Sequence, residues 1–180
     1  MKLLALVVPV ALAVGSPAMA QQKPVHFKVL QEALPSAPLP GFTRSKPIGS
    51  TQSAMGMTSS EASVRYVKAG KDGEEVSITA KVADLVGVPM AAMAFALVPQ
   101  IDQESETEGG YQKTVTVKKK YRATEEANES SDSRSCKLTI PVMSRFMVEL
   151  EGSGTKDVKL LHTLAESMAI DKIEAAAAPK

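Results

Sequence analysis

The chain has 180 residues, 44% of them hydrophobic, and its 21 Lys and Arg nearly balance its 20 Asp and Glu. This length is sufficient for one domain with a hydrophobic core. A nearly neutral chain has no global field that attracts nucleic acid or an anionic membrane, so the composition argues against a nucleic-acid-binding protein.

The first twenty residues have the pattern of a cleavable secretory signal. Lys2 precedes an apolar run over residues 3–14, and Ala18, Met19 and Ala20 form a small-x-small cleavage site. The apolar run is too short to span a bilayer, for which about 17 to 25 residues are needed. The sequence therefore predicts cleavage after Ala20, export to the bacterial periplasm, and a mature chain without a transmembrane segment.

Three regions follow the signal. Residues 21–41 form a proline-rich approach with a short helix predicted over 27–34, whose apolar side carries Val29, Leu30 and Ala33. Residues 42–173 form a single α+β domain, and its start, up to residue 57, supplies a weak edge strand, where a sheet tolerates proline. The alanine-rich residues 174–180 are predicted to be a disordered tail.

Alternation of apolar and polar residues predicts two hairpins that each have one buried face. The first comprises residues 62–67 and 75–84, and the second comprises residues 136–142 and 146–150. A further long strand is predicted over residues 111–127. One wet and one dry face are typical of antiparallel sheets. The predicted fold is an antiparallel sheet of about five to seven strands, with an internal apolar helix and a C-terminal helix packed on it.

The C-terminal helix is predicted over residues 155–173, beginning near Thr155, a suitable N-cap. His162 flanks its apolar stripe and is interpreted as a flank or surface residue rather than a ligand. The stripe repeats at three- and four-residue steps and consists of Val158, Leu161, Leu164, Ala165 and Met168.

The internal helix is predicted over residues 89–98, between Pro89 and Pro99, and it is apolar on all sides. Two interpretations stay open at this stage. The helix is either buried against the sheet or exposed as a binding surface for a lipid, a peptide or another subunit, since methionines make adaptable contacts. The candidate binding residues on such a surface are Met90, Met93, Phe95 and Leu97.

Signals for catalysis or metal binding are weak. No short catalytic or nucleotide-binding motif is present, and the two histidines, His26 and His162, are far apart in the sequence. Acidic residues alternate over 102–108, but the sixth and twelfth positions of an EF-hand loop would be Thr107 and Lys113, so a solvated loop is predicted. The basic run 118–122 is a candidate to pair with it. We predict no enzyme, no metal and no cofactor.

Cys136 is the only cysteine of the chain, which excludes an intramolecular disulfide. The strand pattern places it on the apolar face. Free cysteine is among the most buried residue types, so the sequence predicts a buried, unreactive thiol.

Several segments together resemble a known fold and a group of exported bacterial proteins. The succession LPGFTRSKPIGSTQSAMG, ASVRY, VSITAKVAD, GGYQKTVTV and RFMVELEGSG covers most of residues 27–173 and is similar to uncharacterised exported bacterial proteins. The order of strands and helices resembles the PsbP/Mog1-like sandwich. The resemblance implies an antiparallel sheet with helices packed on it and a role in binding or assembly, and it carries over no catalytic residue.

These observations lead to one functional hypothesis and two alternatives. The first is an exported, periplasmic, non-catalytic binding or assembly factor for an envelope complex, with an unidentified envelope protein as partner. The first alternative is a carrier of a small apolar ligand held between helix and sheet. The second alternative is a hydrolase whose site is assembled from distant parts of the sequence.

Overall fold

The structure, a computed structural model, describes residues 23–54, 57–70, 74–86, 102–130 and 133–178. These residues form nine strands and three helices, and none of the helices is long and apolar enough to cross a membrane. In chain order the elements are α1 (Phe27–Ala33), β1 (Thr43–Arg44), β2 (Ile48–Ala54), β3 (Met57–Ala69), β4 (Glu75–Asp84), β5 (Glu104–Thr107), β6 (Gly110–Val117), β7 (Tyr121–Glu129), β8 (Arg134–Val142), β9 (Phe146–Ser153), α2 (Val158–Ser167) and α3 (Ile170–Ala177).

All strands belong to one antiparallel sheet with the order β1-β3-β4-β9-β8-β7-β6-β5, and β2 lies beside β1 on the outer side of β3. The sheet consists of two meanders, one from β1 to β4 and one from β5 to β9. They meet where β4 pairs with β9, from Ser77 opposite Ser153 to Asp84 opposite Phe146. The last strand in the sequence therefore lies in the middle of the sheet.

The helices cover one face of this sheet, and the hydrophobic core lies between them and the strands. Every second residue of β8 and β9 points into this core, as the alternating burial of Leu138, Ile140, Val148 and Leu150 shows. The helices contribute fully or almost fully buried side chains, which include Leu30, Leu161, Leu164, Ile170 and Ile173.

Most of the expected elements are present in the structure. The two predicted hairpins are β3–β4 and β8–β9, and the edge strand expected before residue 57 is β1 with β2. The short N-terminal helix is α1, which buries Leu30 and Ala33. An α+β fold with an antiparallel sheet is thus confirmed, but nine strands exceed the predicted five to seven. The acidic segment accounts for one extra strand, because residues 104–107 pair with β6 as β5.

The predicted long strand over residues 111–127 is wrong, because the chain reverses at its basic run. Strands β6 and β7 pair with each other, and Lys118 and Lys119 form the turn with φ angles of 51° and 57°. Turns with two left-handed residues usually contain Gly, Asn or Asp, so two lysines give no turn signal. Contacts to a helix hold the turn: Lys118 donates its backbone N–H to Glu166 Oε1 at 2.9 Å and its Nζ to Glu166 O at 2.7 Å.

The single C-terminal helix expected over residues 155–173 is also wrong. Helix α2 begins after Asp157, which caps it by accepting the N–H of Lys159, and ends at Ser167. The N–H of Ala169 then donates to the carbonyl of Ala33 at the end of α1. This tertiary hydrogen bond breaks the helix without glycine or proline. The chain resumes as α3, which continues to Ala177, so part of the expected disordered tail is helical.

Candidate functional site

The binding residues predicted from the sequence, Met90, Met93, Phe95 and Leu97, lie outside the described residues, as does the predicted internal helix. They therefore stay predictions, as does the signal peptide. Within the described residues, a cluster of titratable side chains, Tyr111, Lys113 and His162, surrounds the buried Glu125 on β7.

Alternation along β7 places Glu125 on the dry face of the sheet. Tyr121, Ala123 and Ala127 are its buried neighbours on the same face. The register places Lys113 of β6 directly opposite Glu125, and Tyr111 lies opposite Ala127. Helix α2 passes over these strands and brings His162 to the carboxylate. Three elements thus supply the surroundings of one acidic side chain.

Both oxygens of the Glu125 carboxylate are occupied. Oε1 accepts the hydroxyl of Tyr111 at 2.7 Å and lies 3.2 Å from Lys113 Nζ. Oε2 lies 2.5 Å from His162 Nε2. The Glu125 side chain is 4% exposed, whereas that of His162 is 33% exposed. Among the described residues no buried polar side-chain atom lacks a hydrogen-bond partner.

The surrounding donors keep Glu125 ionised. Burial raises the pKa of its carboxyl group, but hydrogen bonds from His162, Tyr111 and Lys113 outweigh burial and leave this pKa below its ordinary value. Burial, followed by the hydrogen bond to Glu125, raises the pKa of Tyr111 to about 12. The cluster therefore consists of a fixed anion and a phenol that keeps its proton. A carboxylate in this state holds α2 on the sheet and orients the His162 ring, and it is a weak proton acceptor.

A second buried carboxylate, Asp84, lies at the end of β4 and is fully buried. Arg145 donates to both of its oxygens, from Nε at 3.0 Å to Oδ1 and from Nη2 at 2.8 Å to Oδ2. The N–H groups of Val25 and Val86 donate to the same carboxylate at 2.7 and 3.1 Å. This cluster joins the N-terminal approach, the end of β4 and the turn between β8 and β9.

Other sequence-based expectations can be compared directly with the structure. Cys136 is 1% exposed, which confirms the prediction that it is buried. Burial raises the pKa of its thiol to about 11, and low reactivity of the thiol stays a prediction. From the basic run, Arg122 pairs with Asp102 at the start of the acidic segment, as suggested, whereas Lys120 pairs with Glu174 of α3 at 2.6 Å. His26 caps α1 by accepting the N–H of Lys28. Within the described ranges no group of three His, Cys, Asp or Glu side chains is placed to hold a metal ion.

Glu125 was not among the site residues predicted from the sequence. The signal that was present is its position in the alternation of Tyr121, Ala123 and Ala127, where an acidic residue occupies a dry-face position. Tyr111 also lines a polar cavity of about 380 Å³, which Glu129 and Lys156 share. The cavity is open and its lining is dominated by exposed side chains, so it differs from a closed, apolar ligand site.

Comparison of this chain with protein-family models, with curated proteins and with solved structures finds no match. The resemblance to the PsbP/Mog1-like sandwich therefore stays a prediction.

Proposed function

We propose that this chain is an exported, non-catalytic binding or assembly factor for a protein complex of the bacterial envelope. Export rests on the signal predicted in residues 1–20. The binding role rests on one structural observation, a line of polar side chains across the sheet face opposite the core, which we call the polar row. The polar row consists of Arg65, Thr79, Glu151, Lys137, Glu126 and Gln112.

The polar row is continuous because each member lies directly opposite the next in the strand register. It crosses six neighbouring strands, from β3 to β6, which is a span of about 24 Å at the usual strand spacing. Helices α1, α2 and α3 pack on the opposite face, where the core side chains lie. Arg65 and Glu151 are exposed and the other members are partly buried. A long polar surface of this kind suits a protein partner better than a small molecule, which binds in concave sites.

The charges of the polar row indicate the chemistry of the partner. Burial lowers the pKa of Lys137, but Glu149, which bonds it, and the nearby Glu151 and Glu126 outweigh burial and raise it. The charged members of the polar row follow in the order Arg65, Glu151, Lys137 and Glu126. Positive and negative groups thus alternate along the row, and their charges sum to zero. Such a surface complements a protein surface of mixed charge and has little attraction for nucleic acid or an anionic bilayer.

The packing favours this function over a carrier of a small apolar ligand. Side chains of the core, such as Leu161, Leu164 and Ile173, fill the space between the described helices and the sheet. The carrier stays an alternative prediction that depends on residues 89–98. The apolar surface predicted from Met93 and its neighbours stays a second prediction for the docking site. Loss of partner capture in a Met93→Glu variant that remains folded would support it.

In-cell photo-crosslinking tests the polar row. A photoreactive amino acid replaces Glu151 in one variant and Lys159, an exposed residue of α2 on the other side of the molecule, in a matched control. We expect ultraviolet-dependent adducts with discrete envelope proteins from position 151 and none from position 159. An absence of adducts at 151, or the same adducts at both positions, would contradict the proposal.

A further inference from the structure

The outer edge of β2 has backbone groups that no described residue pairs. Ser45, which precedes β2, donates its N–H to the carbonyl of Arg65 on β3. Backbone polar groups point to alternate sides along a strand, so the odd-numbered residues of β3 direct theirs toward β2. In the β2–β3 register, Ser50 lies opposite Glu61 and forms backbone hydrogen bonds with it. The other even-numbered residues of β2 are likewise hydrogen-bonded to the β3 residues opposite them. The odd-numbered residues therefore direct their N–H and C=O groups outward, and they are Gly49, Thr51 and Ser53.

The two long edges of the sheet differ in charge. Residues 48–54, which form β2, contain no charged side chain and no proline. The opposite edge, β5, carries Glu104 and Glu106 within four exposed residues. Charged side chains on an edge strand prevent pairing with another strand, and an uncharged edge lacks this protection. Ile48 adds to the contrast, because it is 68% exposed at the start of β2.

We infer that β2 pairs with β2 of a second copy of this chain, antiparallel, about a two-fold axis at Thr51. Identical strands related by a two-fold axis run antiparallel and present the same surface to each other. In this register Thr51 lies opposite Thr51 of the partner subunit, and Gly49 lies opposite Ser53 of the partner subunit. The three outward pairs exchange about six backbone hydrogen bonds. Two sheets then become one continuous sheet.

A second copy fits this edge because uncharged strands meet without like-charge repulsion. The acidic β5 edge meets such repulsion when paired with itself. One pair of seven-residue strands buries less area than the roughly 1,600 Å² of a standard stable interface. The association is therefore concentration-dependent, and it dissociates on dilution.

Sedimentation velocity of the purified protein over about 1 μM to about 1 mM tests the inference. In the proposed register Ser50 lies opposite Gln52 of the partner subunit, with both side chains on the polar face. A basic double variant, Ser50→Lys with Gln52→Lys, places ammonium groups opposite each other. An acidic double variant, Ser50→Glu with Gln52→Glu, does the same with carboxylates. Circular dichroism checks that both variants keep the strand content of the wild type.

We expect the wild type to reach twice the monomer mass at high concentration, each double variant to stay monomeric, and an equimolar mixture of the two to form a dimer. Three results would overturn the inference: a wild type that is monomeric throughout, a dimer that persists in both variants, or a mixture that stays monomeric. Capture of another protein through this edge by a monomeric wild type would also overturn it.

Discussion

Arg145 binds Asp84 through both carboxylate oxygens although the two residues are 61 positions apart in the chain. Their side chains are 13% and 0% exposed. Arg145 also donates to the carbonyl of Lys23 at 3.0 Å, so the pair fixes the N-terminal approach as well as the β8–β9 turn. A planar guanidinium matches the two oxygens of a carboxylate, which an ammonium group cannot do.

We expect Arg145→Ala to lower the free energy of unfolding by about 3–5 kcal/mol, because it leaves the buried charge of Asp84 without its partner. Arg145→Lys recovers only part of this loss. Urea unfolding measures both values. Lys81→Ala is the control, since it removes an ion pair with Glu61 whose side chains are 37% and 50% exposed. Its cost is expected to stay below about 1 kcal/mol. Equal costs for Arg145→Ala and Lys81→Ala would show that the Arg145–Asp84 pair contributes no more to stability than an exposed ion pair.

The Glu125 carboxylate makes stability depend on pH in the acidic range. Its pKa is lower in the folded protein than the ordinary value of 4.5, so its contribution is present above about pH 4.5 and is lost as pH falls toward the folded-state pKa. We expect Glu125→Gln to flatten the fall in the free energy of unfolding between about pH 6 and pH 3. Urea unfolding at a series of pH values measures the slope, and an equally steep fall in the variant would contradict this assignment.

The same substitution at neutral pH has a matched control on the neighbouring residue. Glu125→Gln is expected to cost about 1–3 kcal/mol, because it weakens the hydrogen bonds from Tyr111, Lys113 and His162 in a buried site. Glu126→Gln changes a side chain on the opposite, polar face of the same strand. Its expected cost is below about 1 kcal/mol.

The thiol of Cys136 can report local opening of the sheet at β8, because it is buried in the native protein. Its pKa of about 11, against an ordinary value of 9.0, reduces the thiolate fraction at pH 8 by about 100-fold, and burial further blocks a reagent. We expect a thiol reagent to label the native protein at least about 100-fold more slowly than the urea-unfolded chain. Labelling at equal rates would mean that the β8 strand opens readily in the native state.

Lys119 lies in the turn between β6 and β7 with φ of 57° and is exposed. Lys119→Gly is expected to be more stable than Lys119→Ala by about 1 kcal/mol, since a left-handed backbone is unfavourable for a residue with a Cβ atom. Both variants remove the same charged side chain, so their difference isolates the backbone conformation. Thermal or urea unfolding measures it, and an alanine variant as stable as the glycine variant would exclude strain at this turn.

The strength of local patterns explains what the sequence could predict. The alternation from Cys136 to Val142 and from Phe146 to Leu150 identifies two half-buried strands, and a strand with one apolar face has a strongly specified register. The turn at Lys118 and Lys119 could not be found in this way, because a contact to Glu166 of α2 holds it. The helix break at Ala169 depends in the same manner on α1.

The Glu125 cluster was harder to predict than the fold. An acidic side chain in a strand is ordinarily taken to face water, and only the positions of its partners show otherwise. Those partners, Tyr111, Lys113 and His162, come from β6 and α2, and their proximity depends on the strand register and on the path of the helix. Neither the strand register nor the path of the helix can be read from the residues around Glu125 alone.

The pairing of β4 with β9 has a consequence for the order of folding. Asp84 of β4 pairs with Phe146, which lies 62 positions later in the sequence. Forming this contact closes a long loop and is therefore slow. Until β9 arrives, β4 has an open edge beside its apolar face. During synthesis from the N-terminus, the chain therefore passes through an intermediate in which β4 is paired with β3 only, and this open apolar strand favours aggregation. The sheet is therefore completed only when the β8–β9 hairpin pairs with β4.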